Sequence, residues 1–502
     1  MVSRVLFGAD AEAFLRNQIA QLTAGIENSL AVFSARSAVE VWMDALRGVD
    51  EVINLPRFQL DDDDLALAVL NLPMDDLPPQ QVANLRDILT DKFDAGVAQR
   101  FVQTLVRSAA IGRSFQLHGY ECGEMFRTLG GVIDYFQSRR RQMVALLYWM
   151  PTACRGSELV DPLDALNVFL PVVELSCVGL TSLHRDSVLL RVHDDFELTV
   201  GPDMCTANYS YEMLDESSLE PERLGITEVP HDKVDMSILK NRMSVDARRV
   251  FSVPELCNDL LAMEASYTEF ELGRTAFGPM ARFIVGCARY ARDEYYIEID
   301  AAELEKLMGL CGLSTLARRR LVYAGTGYTD AINSFAPFIS CGRKLLTTVT
   351  LLSRFAYNWK TTCLNKIKRF QVRSGFIFEQ QVKDALAEQG FVVSDIKRID
   401  RKEFDVVATK AGVIFNVQCK NNLVDLARME ENPILFARYN KRLDRYYETA
   451  LRKEESREGL LQKAFGLQTV KHIVLSKFPV ATKNPRVLAF REVMRFEDMF
   501  GK

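Results

Sequence analysis

The sequence predicts a multidomain α+β protein: an α-rich N-terminal region with a few strands, followed by a C-terminal α/β core in the order α-β-β-β-α-β. Three observations carry this expectation. The chain has 502 residues, and at a usual ~150 residues per domain that is material for about three. Hydrophobic residues make up 48% and charged residues 26%, a globular balance and not a disordered one. Apolar spacing also changes along the chain, from steps of three and four over most of 1–360 to short alternating runs in roughly the last 130 residues.

Helical spacing predicts helices over Ala11–Glu27, Ser37–Leu46, Val82–Phe93, Gly96–Ala110 and Arg140–Trp149. Asp61–Asp64, Asp75–Asp76 and Pro78–Pro79 mark an acidic, loop-rich interruption. Adjacent aspartates cannot all converge on one cation, so a solvated turn or helix start is expected there. The most apolar stretch, Leu166–Leu183, carries Glu174 and is expected as a buried helix or strand pair, not a membrane span. Short strands are expected at Ser187–Arg191, Phe196–Val200 and Tyr295–Ile299, and a surface linker at Glu216–Gly225. The triplet His184-Arg185-Asp186 has no glycine-rich loop to accompany it, and Gly325-Thr326-Gly327 lacks the lysine of a phosphate loop. Glu303–Met308, a Gly309–Gly312 turn and Ser314–Leu321 give only a faint helix-turn-helix signal. Ten cysteines without a CxxC and five histidines without HxxxH spacing predict reduced, mostly buried thiols and no histidine metal site. Acidic residues at Asp10 and Glu12 interrupt any signal-peptide pattern, so a soluble, cytoplasmic protein is expected.

Charge divides the chain. Residues 361–502 hold 27 Lys+Arg against 18 Asp+Glu, a net +9, leaving 35 basic and 49 acidic residues, a net −14, in 1–360. This predicts an acidic, mainly helical region over 1–360, of two subdomains with a sensing or recognition role, and a basic module over 361–502 that makes any nucleic-acid contact. No acidic residue falls between Asp330 and Glu379, whereas Arg354, Lys360, Lys366, Lys368, Arg369 and Arg373 do, interleaved with Phe355, Tyr357 and Trp359. Such a segment would attract a phosphate backbone and stack on bases. Helical spacing equally allows the aromatics to be the packed face of a connecting helix.

Ser374 can cap a helix over Gly375–Gln389, stopped by Gly390, with Phe378, Val382, Ala385 and Leu386 as its apolar stripe and Glu379 beside it. Strands are expected at Phe391–Ile399, Phe404–Thr409 and Val413–Lys420. A two-residue turn at Ala411-Gly412 would pair 410 with 413, and so set Asp405 across from Gln418, with Lys420 on the same face; a four-residue turn also keeps the polar sets together, whereas a three-residue, odd loop would separate them. A helix at Pro433–Glu455 and strands at His472–Lys477 and Val487–Phe490 complete the order. Cys419 points to the apolar face and is expected in the core.

A helix glutamate, a strand aspartate and a following QxK resemble the PD-(D/E)xK nuclease superfamily, in its restriction-endonuclease-like, Mrr-type branch where glutamine takes the acidic position. Phe404 stands where the motif has proline. The resemblance implies a metal-dependent endonuclease of DNA, with RNA left open, in the setting of restriction or phage defence. It implies Asp405, Glu379, Gln418 and the Cys419 carbonyl as ligands of Mg²⁺ or Mn²⁺, and Lys420 as the residue that orients water and offsets charge. Homodimerisation, or a partner protein held by the acidic N-terminal region, is a further expectation, and no membrane is. The competing expectation is a catalytically inactive nuclease fold that binds nucleic acid or assembles, with Gln418 a sign of decay.

Overall fold

A computed structural model describes residues 4–58, 69–75, 77–201, 205–209, 248–421, 433–477 and 480–500, together with Ser237, Lys240 and Asp246. The predicted acidic run Asp61–Asp64, the position Asp76 and the predicted linker Glu216–Gly225 lie outside the described residues.

The architecture is mixed α+β with a helix-rich N-terminal region. Its first layer comprises α1 (Gly8–Leu30), α2 (Ala35–Phe58), α3 (Pro79–Lys92), α4 (Ala95–Leu117), α5 (Leu129–Ala153) and α6 (Ala165–Val192, with a π-turn at Val173–Cys177). Asp94 caps α4 by accepting from Val97 N–H at 2.8 Å, and Thr128 caps α5 by accepting from Gly131 N–H. Trp42 and Trp149 are fully buried here, and the Trp42 indole donates to the Met143 carbonyl at 3.0 Å. The helices outrun the sequence expectation. In α2 the buried stripe runs on past Leu46 through Val49, Val52 and Ile53, and Asp50 and Glu51 turn inward beside it to meet Arg140 (2.8 Å) and Arg100 (2.7 Å) from α5 and α4.

One correction falls in α6. Ser187–Arg191, expected as a strand, is helical, and the Ser187 hydroxyl donates to the Leu183 carbonyl one turn back. By length and composition the run Ala165–Val192 is long and apolar enough to cross a membrane. Its Glu174 takes a two-pronged bond from Arg139 and one from the Tyr135 hydroxyl.

Strands β1 (Arg4–Phe7), β2 (Glu197–Val200) and β3 (Cys205–Ala207) form a small antiparallel sheet; β4 (Tyr296–Asp300), β5 (Ile339–Cys341) and β6 (Lys344–Thr348) form another, in the order β4-β6-β5. A second core, from Phe251 to Phe370, gathers α7 (Val253–Ser266), α8 (Phe277–Cys287), α9 (Ala301–Leu310) and α10 (Val349–Leu364). After α9 the helix-turn-helix pattern dissolves, because its second helix is one turn, Thr315–Arg318. Residue 360 lies inside α10, and Trp359, Cys363 and Leu364 pack with this second core. Apolar packing passes to the C-terminal layers only after Phe370.

The C-terminal core contains α11 (Lys368–Glu388), β7 (Val392–Ser394), the two-residue strands β8 (Arg398–Ile399) and β9 (Lys402–Glu403), β10 (Val406–Lys410), β11 (Val413–Lys420), α12 (Pro433–Glu455), α13 (Glu458–Phe465), β12 (Thr469–Ser476) and β13 (Val487–Ala489). The sheet order is β13-β12-β11-β10-β7; β10 runs antiparallel to β7 and β11, and β11, β12 and β13 run parallel. The parallel step from β11 to β12 requires a crossover, supplied by α12 and α13. Three layers result. Phe378, Val382 and Leu386 of α11 cover Val406, Phe415 and Val417 on one face. On the other, Leu461 of α13 covers Val407 and Ile414, and Tyr447 and Leu451 of α12 meet Val474 and Val487. Val188 of α6 joins that last cluster, so the N-terminal region packs directly on α12.

Ser374 is corrected from helix cap to helix interior: α11 starts at Lys368, and the Ser374 hydroxyl donates to the Gln371 carbonyl and accepts from Asn421. Gly390 does stop the helix, at φ +76°. The expected strand Phe391–Ile399 divides into β7 and β8.

Candidate active site

The hairpin turn sets the geometry. Ala411 and Gly412 both have positive φ, +50° and +77°, as a two-residue hairpin loop with the twist of the sheet requires. Lys410 therefore pairs with Val413, and the ladder runs to Val406 opposite Val417. β11 extends three residues beyond that pair, and Asp405 occupies the gap beside it. Its Oδ2 accepts from Gln418 Nε2 and from Cys419 N–H, the latter at 2.9 Å. In an extended strand the N–H and C=O of one residue point to the same side, so the Cys419 carbonyl also faces this gap. The Lys420 ammonium lies over the Tyr446 ring of α12, 5.4 Å from its centroid. Asp405, Gln418 and Lys420 are half-buried, as is Glu379 one residue past Phe378 on α11.

The electrostatics tie these groups together. Glu379 is pushed up to about 7, first by burial and then by the nearby Asp405 carboxylate. Asp405 is also raised by burial, while the Gln418 amide, Lys420 and the Cys419 N–H act in the opposite direction. Burial pushes the Cys419 thiol well up, with the Asp405 and Glu379 charges adding to the effect, and the side chain packs against the α11 face, consistent with a core residue and not a nucleophile.

A carboxyl raised in the folded state favours folding while protonated. Glu379 thus contributes stability at low pH that is lost as pH rises from its usual 4.5 through about 7. The melting temperature of Glu379→Gln relative to the parent is expected to rise between pH 5 and 8, and thermal melts across that range check it. A constant difference would remove the buried, Asp405-facing position assigned to Glu379.

Two half-buried carboxylates whose charged forms are disfavoured by their surroundings form a donor pair that a hard divalent cation relieves, and the Cys419 carbonyl adds a neutral oxygen. Asp405 and Glu379 are the residues that could hold such an ion. The set is small: among the described residues, no group of three or more His, Cys, Asp or Glu side chains is placed to share a metal.

The polar sheet face expected from alternation is open only at this end. Asn416, expected on it, is buried; its amide donates to Glu454 (3.1 Å) and lies 3.1 Å from His472 Nδ1, whose Nε2 meets Glu458 at 3.2 Å. Glu454 also receives Arg457 at 2.6 Å.

The expected nucleic-acid residues divide. Arg354 is buried in the N-terminal layers, donating to the Ser334 carbonyl at 2.7 Å and to the Tyr148 hydroxyl and lying over Phe335. Lys360 is buried between the rings of Tyr267 and Tyr357. Neither reaches a phosphate, and Phe355 and Trp359 belong to the second core, so the packed-helix alternative holds for this segment. Lys366, Lys368 and Arg369 are exposed, Arg369 pairing with Glu269 at 3.0 Å, and Arg373 is half-buried. Sequence reasoning missed Tyr446 beneath Lys420 and the arginines around it on α12. Their signal was present as arginines at helical spacing.

The cysteines form no disulfide: five are buried, four half-buried and Cys205 exposed. No family model matches the chain, and no curated protein or solved structure does either.

Proposed function

We propose that the C-terminal core is a metal-dependent endonuclease that hydrolyses phosphodiester bonds of DNA, with the helical N-terminal region as its recognition or restraining part. The observation that carries this reading is the assembly of Glu379, Asp405, Gln418 and Lys420 from a helix and two strands at the projecting end of β11. The α-β-β-β-α-β order, and helices on both sheet faces, support the restriction-endonuclease-like resemblance. Asp405 and Glu379, with Gln418 and the Cys419 carbonyl, would hold Mg²⁺ or Mn²⁺, which acidifies water and offsets phosphate charge. Gln418 fixes the Asp405 carboxylate through its amide. Lys420 holds the attacking water and stabilises charge that develops in the transition state. A restriction or phage-defence role follows from the resemblance.

Supercoiled plasmid is expected to be nicked in Mg²⁺ or Mn²⁺ and left intact in chelator. A wild type inert in both metals removes the enzyme reading. The second reading, a silent nuclease fold that binds nucleic acid or assembles, is favoured by one observation: two donors already occupy Asp405 Oδ2.

A further inference from the structure

We propose that the outward face of α12 is a track for the phosphate backbone of duplex DNA, leading away from the gap beside Asp405 and ending against Arg191 of the N-terminal region. This rests on the nuclease reading for its direction, but not for its test.

The helix has two opposed faces. Phe436, Leu443, Tyr447 and Leu451 are buried against the sheet. The face directly opposite carries Arg438, Arg442, Arg445, Thr449 and Arg452, at steps of four, three, four and three, and all are exposed. A solvated helix face ordinarily mixes signs, with acids three or four residues from its arginines. Arg442 has only Arg438, Tyr439, Arg445 and Tyr446 at those positions. Arginines so spaced repel one another, a cost that an external polyanion relieves. Glu448 stands three residues after Arg445 and four before Arg452, Glu455, three after Arg452, already pairs with Arg486 at 2.5 Å, and Asp444 accepts from Thr482, so the uncompensated arginines are Arg438 and Arg442.

The stripe connects to the site at one edge. Tyr446 is 50% exposed and its ring supports Lys420, so a backbone leaving Lys420 meets Arg442 and Arg445 next. From Arg438 to Arg452 the stripe spans about 21 Å at 1.5 Å per residue, or about six base pairs at 3.4 Å each. At its far end is a cleft of about 360 Å³ between α12 and the N-terminal region. There Arg191 of α6, itself paired with Glu12 at 2.6 Å, stands opposite Arg438 and Lys441. The substrate path is therefore built by both parts of the chain.

Anisotropy of a labelled DNA duplex, measured on the full chain in chelator over a salt series, tests this without requiring cleavage. Arg442→Ala/Arg445→Ala is expected to weaken binding by about tenfold and to lower the log–log salt slope by about two. Arg442→Lys/Arg445→Lys should retain the slope, and Arg191→Ala should lower it by about one. An unchanged slope in the alanine pair, with melts confirming a folded protein, overturns the track. Equal losses for heparin reduce it to a general polyanion surface, and tighter, equally sensitive binding of duplex RNA makes the partner RNA; either overturns the assignment to DNA. A slope that falls in a protein that nicks nothing sinks the nuclease reading and leaves the track. Unimpaired nicking with an unchanged slope does the reverse.

Discussion

Asp405→Ala is expected to reduce plasmid nicking by about a thousandfold, because it removes the principal carboxylate that would hold the metal on which charge stabilisation depends. Asp405 is the point at which the site converges: Gln418 and the Cys419 backbone bind its carboxylate, burial raises its proton affinity, and Lys420 opposes that shift. Removing it leaves the Cys419 N–H facing a half-open gap that water can enter, so the fold should survive. Far-UV circular dichroism and thermal melts check that, and nicking time courses with Mg²⁺ and Mn²⁺ check the activity. Turnover at the wild-type rate by a folded alanine variant would place the chemistry elsewhere. Lys420→Ala should lose activity too, while its melting temperature stays close to the parent's, since the ammonium makes its contact over the half-exposed Tyr446 ring.

Gln418 separates an enzyme from a relic. Gln418→Glu adds a third carboxylate beside Asp405 and Glu379 at nearly the same length. Without a metal this crowds like charges into a half-buried site and should lower the melting temperature. Added Mg²⁺ or Mn²⁺ should restore more stability than in the parent, and some nicking should persist. Gln418→Leu leaves neither an amide to hold Asp405 nor an oxygen for a cation, and should abolish nicking. Metal titrations and nicking on all three proteins provide the comparison. If the leucine variant nicks like the parent, Gln418 is outside the site. If wild type and glutamate variant are both silent, the binding-module reading replaces the enzyme.

The hairpin was legible because its determinants are local. Gly412 accepts positive φ freely while Ala411 is held there by the turn, two residues make an even loop, and side-chain alternation then brings Asp405 to Gln418. Helix identity in the N-terminal region was legible from spacing, but helix length was not. Asp50 and Glu51 interrupt the apolar pattern of α2 with buried charge, and Arg140 and Arg100, far along the chain, make that burial tolerable. The same limit explains the error at Arg354 and Lys360. A charged residue between aromatics has the same local pattern whether those rings are its neighbours in a core or a platform for bases, and the decision came from Phe335, Tyr148 and Tyr267. Ser187–Arg191 failed for a different reason: a five-residue run with three consecutive apolar residues suits a short strand and a helix alike, and here a helix continues through it.

The buried amide of Asn416 has a consequence for how the hairpin is assembled. Slipping β11 by a single residue would reverse every side chain on it. Val417 or Phe415 would then face Glu454 and His472, and Asn416 would enter the apolar layer beneath α11. Glu454 would lose one of its two donors inside the protein, and the displaced amide would have no partner at all. Unmatched groups of that kind cost about 1–3 kcal/mol each, and more when charged. A pairing error in this strand is thereby made expensive at a position two residues from Gln418. The network that never touches the gap beside Asp405 acts as a proofreader of alignment, rejecting the one-residue offsets that would keep the aspartate and the glutamine apart.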